Sequence, residues 1–292
     1  MNRRGLVTGV DGFQHQARKR FGQNFLHDEH VIARIVKAIT PAPNQHLIEI
    51  GPGQGAITAP LLALGKGLSV IEIDRDLAAH LRQRFGANPG FTLIERDVLE
   101  VDFAQFTTTP RSLRILGNLP YNISTPLLFH LLRYQALIHD MVFMLQREVV
   151  DRLAAQPGTA DYGRLSVMMQ YHCKVERLFN VRPSAFNPPP KVESAIVRLE
   201  PWPTPPHPVR DEKLFADLVR EAFNQRRKTV RNALKQRVNA AQWQRSHLDP
   251  ALRPENLSLG DYARITAIIT GENGVEEQAK EQAKEHEERT DP

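Results

Sequence analysis

The residues with the clearest chemical potential are the four consecutive ones Asn118-Leu119-Pro120-Tyr121. The amide oxygen of Asn118 and the main-chain carbonyl of Leu119 are hydrogen-bond acceptors, and Pro120 stiffens the turn that presents them. Two such acceptors can hold both N–H bonds of an exocyclic purine amine, while Tyr121 offers a ring for base stacking, worth about 1–3 kcal/mol. The pattern predicts methyl transfer to an exocyclic amine of an unpaired or flipped-out base, and an adenine amine fits it. The alternative is a turn with a half-buried tyrosine.

A second aromatic residue, Phe186, lies in the segment Pro183-Ser184-Ala185-Phe186-Asn187-Pro188-Pro189-Pro190. Prolines at this density predict a stiff, extended loop without a helix. A phenylalanine on such a loop is either a packing anchor or a second wall against which a base stacks. The pattern alone leaves both interpretations open.

A glycine-rich stretch and several acids indicate a nucleotide-like cofactor. Gly51-Pro52-Gly53-Gln54-Gly55 lies between a predicted strand and a predicted helix, where glycine lets a ligand approach the backbone closely. Glu72 follows Gly51 by 21 residues, at a strand end where a carboxylate can accept hydrogen bonds from ribose hydroxyls. Asp74 points to the same side and competes for that role, whereas Asp97 can accept an adenine amine or simply cap a turn. NAD and S-adenosylmethionine share an adenosine half, so these residues leave both cofactors open.

The elements that must position these residues alternate between strand and helix. Strands are predicted at 46–50, 68–73, 91–94, 114–116, 141–145, 177–181 and 194–199. Helices are predicted at 28–39, from the end of the glycine-rich stretch to about 64, at 76–85 and through 127–132. This alternation predicts an α/β fold with a doubly wound, mostly parallel sheet. Each of the candidate sites follows a strand, and ligands bind such sheets at the carboxyl ends of the strands.

Composition divides the chain into five predicted segments. Residues 271–292 hold eight acids and three bases, which gives them a net charge of −5. Because the whole chain carries +5, the other residues carry a net charge of +10. A body this basic favours an anionic partner such as nucleic acid. The segments are a basic N-terminal arm (1–20), a methyltransferase domain (21–200), a proline-rich linker (201–210), a small helical domain (211–270) with helices through 214–223, 230–238 and 262–269, and an acidic, disordered tail (271–292).

Six basic residues are the candidates for RNA phosphates. Gln225–Arg231 is predicted to open the second helix of the small domain with a basic cap, and two arginines follow the fifth strand. The alternative is a solvated helix face. The six are Arg147, Arg152, Arg226, Arg227, Lys228 and Arg231.

The single cysteine, Cys173, excludes an intrachain disulfide or a cysteine-based zinc site, and its position between an apolar helix and a strand predicts a core residue. One cysteine fits a reducing cytosol, so we expect a cytoplasmic protein. No apolar run approaches the length of a membrane span, and the basic N-terminus lacks the apolar stretch of a signal peptide. Its charge does not exclude a mitochondrial transit peptide.

The assembled motifs strongly resemble the ribosomal RNA adenine dimethylase family. They are Lys19-Arg20-Phe21-Gly22-Gln23-Asn24-Phe25-Leu26, Glu49–Gly55, Glu72-Ile73-Asp74, Gly117–Tyr121 and Phe186–Ser194, and the resemblance covers about 19–269. It implies a Rossmann-like class I methyltransferase of seven strands that uses S-adenosylmethionine, yields S-adenosylhomocysteine and needs no metal. It further implies N6,N6-dimethylation of two adjacent adenosines in the 3′-terminal hairpin loop of 16S rRNA, by a monomer acting on a pre-30S particle without a membrane.

The resemblance also assigns residues that spacing leaves open. It chooses Glu72 over Asp74, and it makes Phe186 a stacking wall beside Asn118–Tyr121. The cofactor contacts that it implies are Asn24, Leu26, Gly51, Gly53, Glu72, Asp97 and Asn118. Three other interpretations remain at this point: a non-catalytic RNA-binding assembly factor on the same fold, a mitochondrial transcription factor descended from such enzymes, and a dehydrogenase.

Overall fold

The computed structural model describes residues 6–8, 13–16, 23–39, 42, 44–65, 67–120 and 123–272. All of the predicted acidic tail except Gly271 and Glu272, and most of the predicted arm, lie outside these residues. The strands are β1 Leu6–Thr8, β2 Gln14–Gln16, β3 Phe25–Leu26, β4 His46–Ile50, β5 Leu68–Glu72, β6 Phe91–Glu95, β7 Leu113–Asn118, β8 Ile138–Gln146, β9 Cys173–Val181, β10 Phe186–Asn187 and β11 Ser194–Pro201. The helices are α1 Glu29–Ile39, α2 Thr58–Ala63, α3 Arg75–Phe85, α4 Ser124–Leu132, α5 Arg147–Leu153, α6 Arg164–His172, α7 Glu212–Asn224, α8 Val230–Ala233, α9 Ala240–Ser246 and α10 Leu259–Thr270.

The chain forms two compact units, each described by itself. The first consists of residues up to Asp151 together with His172–Pro203, and the second of Arg152–Tyr171 together with residues from Thr204 onward. The second unit therefore includes a stretch that the predicted boundaries place in the methyltransferase domain. Those boundaries stay a prediction.

The first unit is built on a seven-stranded sheet in the order β6-β5-β4-β7-β8-β11-β9. The neighbouring pairs from β6 to β8 are parallel, while β11 is antiparallel to both β8 and β9. The predicted α/β class with a doubly wound, mostly parallel sheet of seven strands is confirmed. The order reverses direction between β4 and β7, so the switch point where such sheets bind ligands lies beyond Ile50 and Asn118.

Apolar side chains hold the helices on the sheet. Ile35 and Ile39 of α1 and Leu61 of α2 pack in one cluster with Leu47 of β4 and Val70 of β5. All five are 3% exposed or less, and burying a side chain of this size contributes about 1.5–3 kcal/mol. Strands this apolar on both faces are typical of a parallel sheet covered on both sides.

Charged side chains are buried at the opposite end of the sheet from the switch point. The guanidinium of Arg114 donates to both carboxylate oxygens of Asp140, with N···O distances of 2.8 and 2.5 Å. The Nε atom of Arg198 lies 3.6 Å from the same carboxylate, and its Nη2 donates to the carbonyl of Ala38. This cluster joins three adjacent strands and α1.

Two small sheets lie outside the main one. β1 pairs with β2, which is an element that the predicted arm did not include, and β3 pairs with β10. Pro183–Ala185 form a single 3-10 turn, so the prediction of a segment free of helix was wrong at its start. The fixed φ angle of proline suits the first position of such a turn.

The second unit is helical, and the structure differs from the predicted helices around residues 226–246. The predicted helix through Val238 ends at Ala233, and α9 follows it as a separate, unpredicted helix. Asn239 begins α9 by accepting the Gln242 amide, which completes a capping box. Arg226, Arg227 and Lys228 precede α8 and do not open it, because Thr229 is its N-terminal cap.

Aromatic rings fill the interior of this unit. The rings of Tyr171 and Phe215 lie 4.5 Å apart, and Tyr262 donates its hydroxyl to the carbonyl of Pro254.

Cys173, the first residue of β9 in the first unit, is buried as predicted, and burial raises the pKa of its thiol to about 12. Among the described residues, every helix is too short or too polar to cross a lipid bilayer.

Candidate active site

A cleft lies at the carboxyl ends of β4, β5, β6 and β7. Ten of the predicted cofactor and catalytic residues line it, and Tyr121 lies outside the described residues. The ten are Asn24, Leu26, Gly51, Gly53, Glu72, Asp97, Asn118, Leu119, Pro120 and Phe186. The structure therefore brings together, in one concave site, residues that are up to 162 positions apart in the chain.

The glycine-rich turn after β4 forms the floor of the cleft. Gly51 and Gly53 have φ angles of +66° and +59°, a region that glycine adopts without the clash a Cβ atom would cause. A Cβ atom at Gly53 would also come within 3.1 Å of the Phe25 ring. The main-chain N–H of Gly53 donates to a carboxylate oxygen of Glu72 at 3.4 Å. The turn thus gives a ligand direct access to backbone and acid together.

The two acids after β5 have separate roles in this geometry. Glu72 lines the cleft, and its other carboxylate oxygen accepts the main-chain N–H of Asp74 at 2.9 Å. Asp74 is fully buried and caps α3 by accepting the Asp76 amide at 3.0 Å. It also accepts from Gln23 at 2.9 Å. This supports Glu72 as the acid available to a ligand.

Sequence reasoning missed a second buried carboxylate in the cleft, that of Glu49. It is 2% exposed, accepts the Thr58 hydroxyl at 2.6 Å and lines the same cleft. Burial raises the pKa of Glu49 to about 7, against the Thr58 hydrogen bond, and nearby Glu72 adds to the rise. A charged residue inside the apolar strand His46–Ile50 was the signal that could have identified it.

The affinity for an adenosine-containing cofactor is expected to rise with pH through about 7. Burial raises the pKa of Glu72 from 4.5 to about 7, against hydrogen bonds from Asp74 and Gly53. An ionised carboxylate accepts hydrogen bonds from hydroxyl groups more strongly than the neutral acid does. Calorimetry of S-adenosylhomocysteine binding between pH 6 and 8 measures this, and we expect the dissociation constant to rise up to about tenfold per pH unit below 7. Glu72→Gln should flatten the profile, whereas exposed Glu95→Gln should not.

The same pKa shift has the opposite consequence for stability. Because the folded protein holds this proton more tightly than the unfolded chain, the contribution to the free energy of unfolding is largest below pH 4.5. It decreases as the pH rises from about 4.5 to about 7. A wild-type dissociation constant that does not vary with pH would contradict the prediction on cofactor affinity. The Glu49→Gln variant measures how much of the pH dependence of that affinity comes from Glu49.

The acceptors at the end of β7 are held in place by main-chain contacts. The amide nitrogen of Asn118 donates to the carbonyl of Asn24 at 3.1 Å, so its amide oxygen is the end available as an acceptor. The N–H of Leu119 donates to Met144 at 3.1 Å, and the carbonyl of Pro120 accepts from Ile123 at 3.2 Å. The residues before and after the turn are thereby fixed, while its acceptors line the cleft.

Asp97 and Phe186 each have a structural contact and also line the cleft. A carboxylate oxygen of Asp97 accepts the Leu99 amide at 3.0 Å and caps a 3-10 turn, and the residue also lines the cleft. Phe186 is 3% exposed, packs in the apolar cluster of the sheet and lines the cleft. Its main chain pairs with Leu26.

The six predicted RNA-contacting residues do not line this cleft. Arg147 donates to Glu193 at 2.6 Å and lies 3.6 Å from Asp151. Arg226 donates to the carbonyl of Ala160 and lies 3.7 Å from Glu255. All six side chains are exposed, the other four being Arg152, Arg227, Lys228 and Arg231.

A doubly wound sheet with this glycine turn and with acids after its next two strands fits a class I S-adenosylmethionine-dependent methyltransferase, and the family comparison separates this class from the dehydrogenases. The model of the family described as Ribosomal RNA adenine dimethylase matches residues 14–271. The chain belongs to the ribosomal RNA adenine dimethylase family.

Individual relatives agree with this membership. The chain is 58% identical over 253 residues to the Ribosomal RNA small subunit methyltransferase A of Pseudomonas aeruginosa, covering 87% of this chain and 94% of that protein. It is 57% identical to the protein of the same name from Hahella chejuensis, covering 87% and 93%.

Two solved structures share the architecture. A dimethyladenosine transferase from Plasmodium falciparum is 26% identical with a TM-score of 0.66, covering 82% of this chain and 95% of that one. The 23S rRNA methyltransferase ErmE matches with a TM-score of 0.67 at 24% identity, covering 85% and 100%, and supports the fold alone.

Proposed function

We propose that the protein is a 16S rRNA adenine N6,N6-dimethyltransferase that modifies two adjacent adenosines in the 3′-terminal hairpin loop. The single observation that carries the proposal is the pair of acceptors, Asn118 and Leu119, beside a cleft that fits an adenosine-containing cofactor. Membership in the adenine dimethylase family supports adenine as the base. We further propose that it acts as a monomer on a pre-30S particle.

The residues of the cleft fit S-adenosylmethionine. Gly51 and Gly53 leave the backbone open where a Cβ atom would otherwise stand, and the Glu72 carboxylate faces the same space. Glu72 would accept hydrogen bonds from the ribose hydroxyls and Asp97 from the adenine amine, and Asn24 and Leu26 line the same cleft. When bound, the cofactor supplies a methyl group on a positively charged sulfur. Glu49 adds a second carboxylate to this floor.

The acceptors at Asn118 and Leu119 orient the substrate amine. The lone pair of an adenine amine is delocalised into the ring, so strong deprotonation is not what the reaction needs. The Asn118 amide oxygen and the Leu119 carbonyl each accept one N–H bond, which favours a pyramidal nitrogen whose lone pair is withdrawn from the ring and points at the methyl group. Holding this geometry contributes to the rate because it removes the entropy of alignment from the reaction step.

Aromatic rings and basic side chains complete the proposal for RNA. We propose the ring of Phe186 as one wall for the base and that of Tyr121 as the other. The exposed cations Arg152, Arg227, Lys228 and Arg231 are proposed phosphate contacts, with Arg147 and Arg226 as further candidates.

Incubation with S-adenosylmethionine and undermethylated small subunits tests the proposal. We expect nucleoside analysis of the 16S rRNA to yield N6,N6-dimethyladenosine, with up to four methyl groups per particle for two adenosines. Mature, already methylated subunits are the matched control and should accept none. Bound cofactor with no methyl transfer to the undermethylated particle would refute the proposal and favour a binding role.

A further inference from the structure

A short N-terminal segment, Gln23–Leu26, joins the separate parts of the cleft. The carbonyl of Asn24 accepts the amide of Asn118, and the Phe25 ring packs on the glycine turn at Gly53. Leu26 pairs with Phe186, and Gln23 donates to Asp74. These partners belong to four different parts of the first unit: the end of β7, the turn after β4, strand β10 and the residues after β5. The position of this one segment therefore determines how the walls of the cleft meet.

His15 contacts that segment from outside the cleft. Its imidazole is 4% exposed, and its Nε2 atom lies 3.1 Å from the side-chain oxygen of Gln23. Because the amide nitrogen of Gln23 donates to Asp74, its oxygen must accept, so the imidazole donates. The same Nε2 atom lies 3.7 Å from the Asp74 carboxylate, and the ring meets Phe25 edge-on at 5.8 Å.

Aromatic stacking adds a second attachment for this part of the chain. The ring of Phe13 stacks on His80 of α3 with centroids 3.8 Å apart, and α3 is the helix that Asp74 caps. His15 thus lies between the stacked Phe13 ring, at 6.1 Å, and the segment that forms the cleft wall. The imidazole is surrounded by groups that hold it.

The contacts continue from His15 to the cofactor acid. His15 donates to Gln23, and Gln23 donates to Asp74. The main-chain N–H of Asp74 donates to one oxygen of Glu72, whose other oxygen accepts the N–H of Gly53. Displacing Gln23 changes one end of this chain of hydrogen bonds, and the other end is the glycine turn.

We propose that His15 is a positioning residue for the cofactor site, acting through Gln23 on Asp74 and Glu72. It is not among the residues that line the cleft. Its role is to hold Gln23–Leu26 against the cleft, so that cofactor affinity depends on a residue that lies before this segment in the chain. The inference rests on the proposed function, since it takes S-adenosylmethionine as the ligand.

The test measures S-adenosylhomocysteine binding by calorimetry and methyl transfer to undermethylated small subunits, using the full-length chain. Losing one hydrogen bond of this kind should weaken binding by about five- to tenfold in His15→Ala. KM for S-adenosylmethionine should rise in parallel, with kcat within about twofold of the wild type. His15→Gln supplies an amide N–H and should restore the dissociation constant to within about twofold.

His46→Ala is the matched control. His46 is also partly buried and makes one side-chain hydrogen bond, to Ser69 at 2.9 Å, but it lies at the start of β4, away from the cleft. It should lower stability without changing the dissociation constant. In a double-mutant cycle, His15→Ala should add less than about twofold in a Gln23→Ala background, because its effect passes through Gln23.

An unchanged dissociation constant in His15→Ala would overturn the inference. The same holds if His15→Ala weakens binding by its full factor in the Gln23→Ala background. Failure of His15→Gln to restore binding would do the same. If His15→Ala does not fold, protection of the Gly53 amide from hydrogen exchange is compared between wild type and His15→Gln, and a loss of protection overturns the proposal. A wild-type chain that binds no S-adenosylhomocysteine would instead refute the proposed function.

Discussion

Replacing Asn118 by alanine is expected to lower kcat for methyl transfer by about 10²–10³. The substitution removes one of the two acceptors that turn the lone pair of the amine toward the methyl group, and loss of a single hydrogen bond to a reacting group costs this much in comparable sites. The cofactor dissociation constant should rise only several-fold, because Glu72, Asp97 and the glycine turn remain. Rapid-quench measurement of methyl transfer with saturating cofactor gives the chemical step directly.

Asn88→Ala is the control for this variant. Asn88 lies in an exposed turn, where its side chain accepts only the Gly90 amide at 2.9 Å among the contacts the structure describes. It should leave kcat within about twofold. Asn118→Asp is a sharper comparison, since it keeps an acceptor but cannot donate to the carbonyl of Asn24. An Asn118→Ala enzyme with undiminished kcat would contradict the role of the amide oxygen.

Replacing Asp140 by alanine should lower the free energy of unfolding by about 3–5 kcal/mol. Asp140 is 4% exposed, and its loss leaves Arg114 buried without the carboxylate that it binds with two hydrogen bonds. Arg198 loses its contact with the same group. Urea denaturation followed by circular dichroism measures the change.

The exposed pair of Arg111 and Glu200 provides the contrast. Its N···O distance is 3.2 Å with both side chains at least one-third exposed, so Glu200→Ala should cost about 0–1 kcal/mol. Replacing Arg114 and Asp140 together by leucine should cost less than Asp140→Ala alone, because no buried charge is left unpaired. Equal losses for Asp140→Ala and Glu200→Ala would show that burial does not govern this pair.

The sheet was predictable from the sequence because its strands are apolar on both faces and separated by turn residues. The five parallel strands β4 to β8 were placed within three residues of their observed ends, and residues at the ends of the first four meet in one cleft. The predicted cleft residues share a simple geometric cause, since parallel strands end on the same edge. Short-range patterns were sufficient for this part of the molecule.

The remaining features depend on contacts between distant residues. Gln23 and His15 had no periodic or spacing signal, because their roles come from a hydrogen bond to Asp74 and from burial. The break between α8 and α9 depends on Asn239, whose cap outweighed the apolar stripe that predicted one helix. The pairing of Arg147 with Glu193 joins strand ends 46 residues apart, which no local pattern predicts.

The pairing of β3 with β10 has a consequence for how the protein is made. The two strands place residues 25–26 against residues 186–187, so one wall of the cleft leaves the ribosome long before its partner. At about 5–20 residues per second, synthesis of the intervening 160 residues takes roughly 10–30 s. Over that interval the nascent chain contains the glycine turn and both acids but no closed cleft, and it becomes able to retain a cofactor only near the end of synthesis of its first unit.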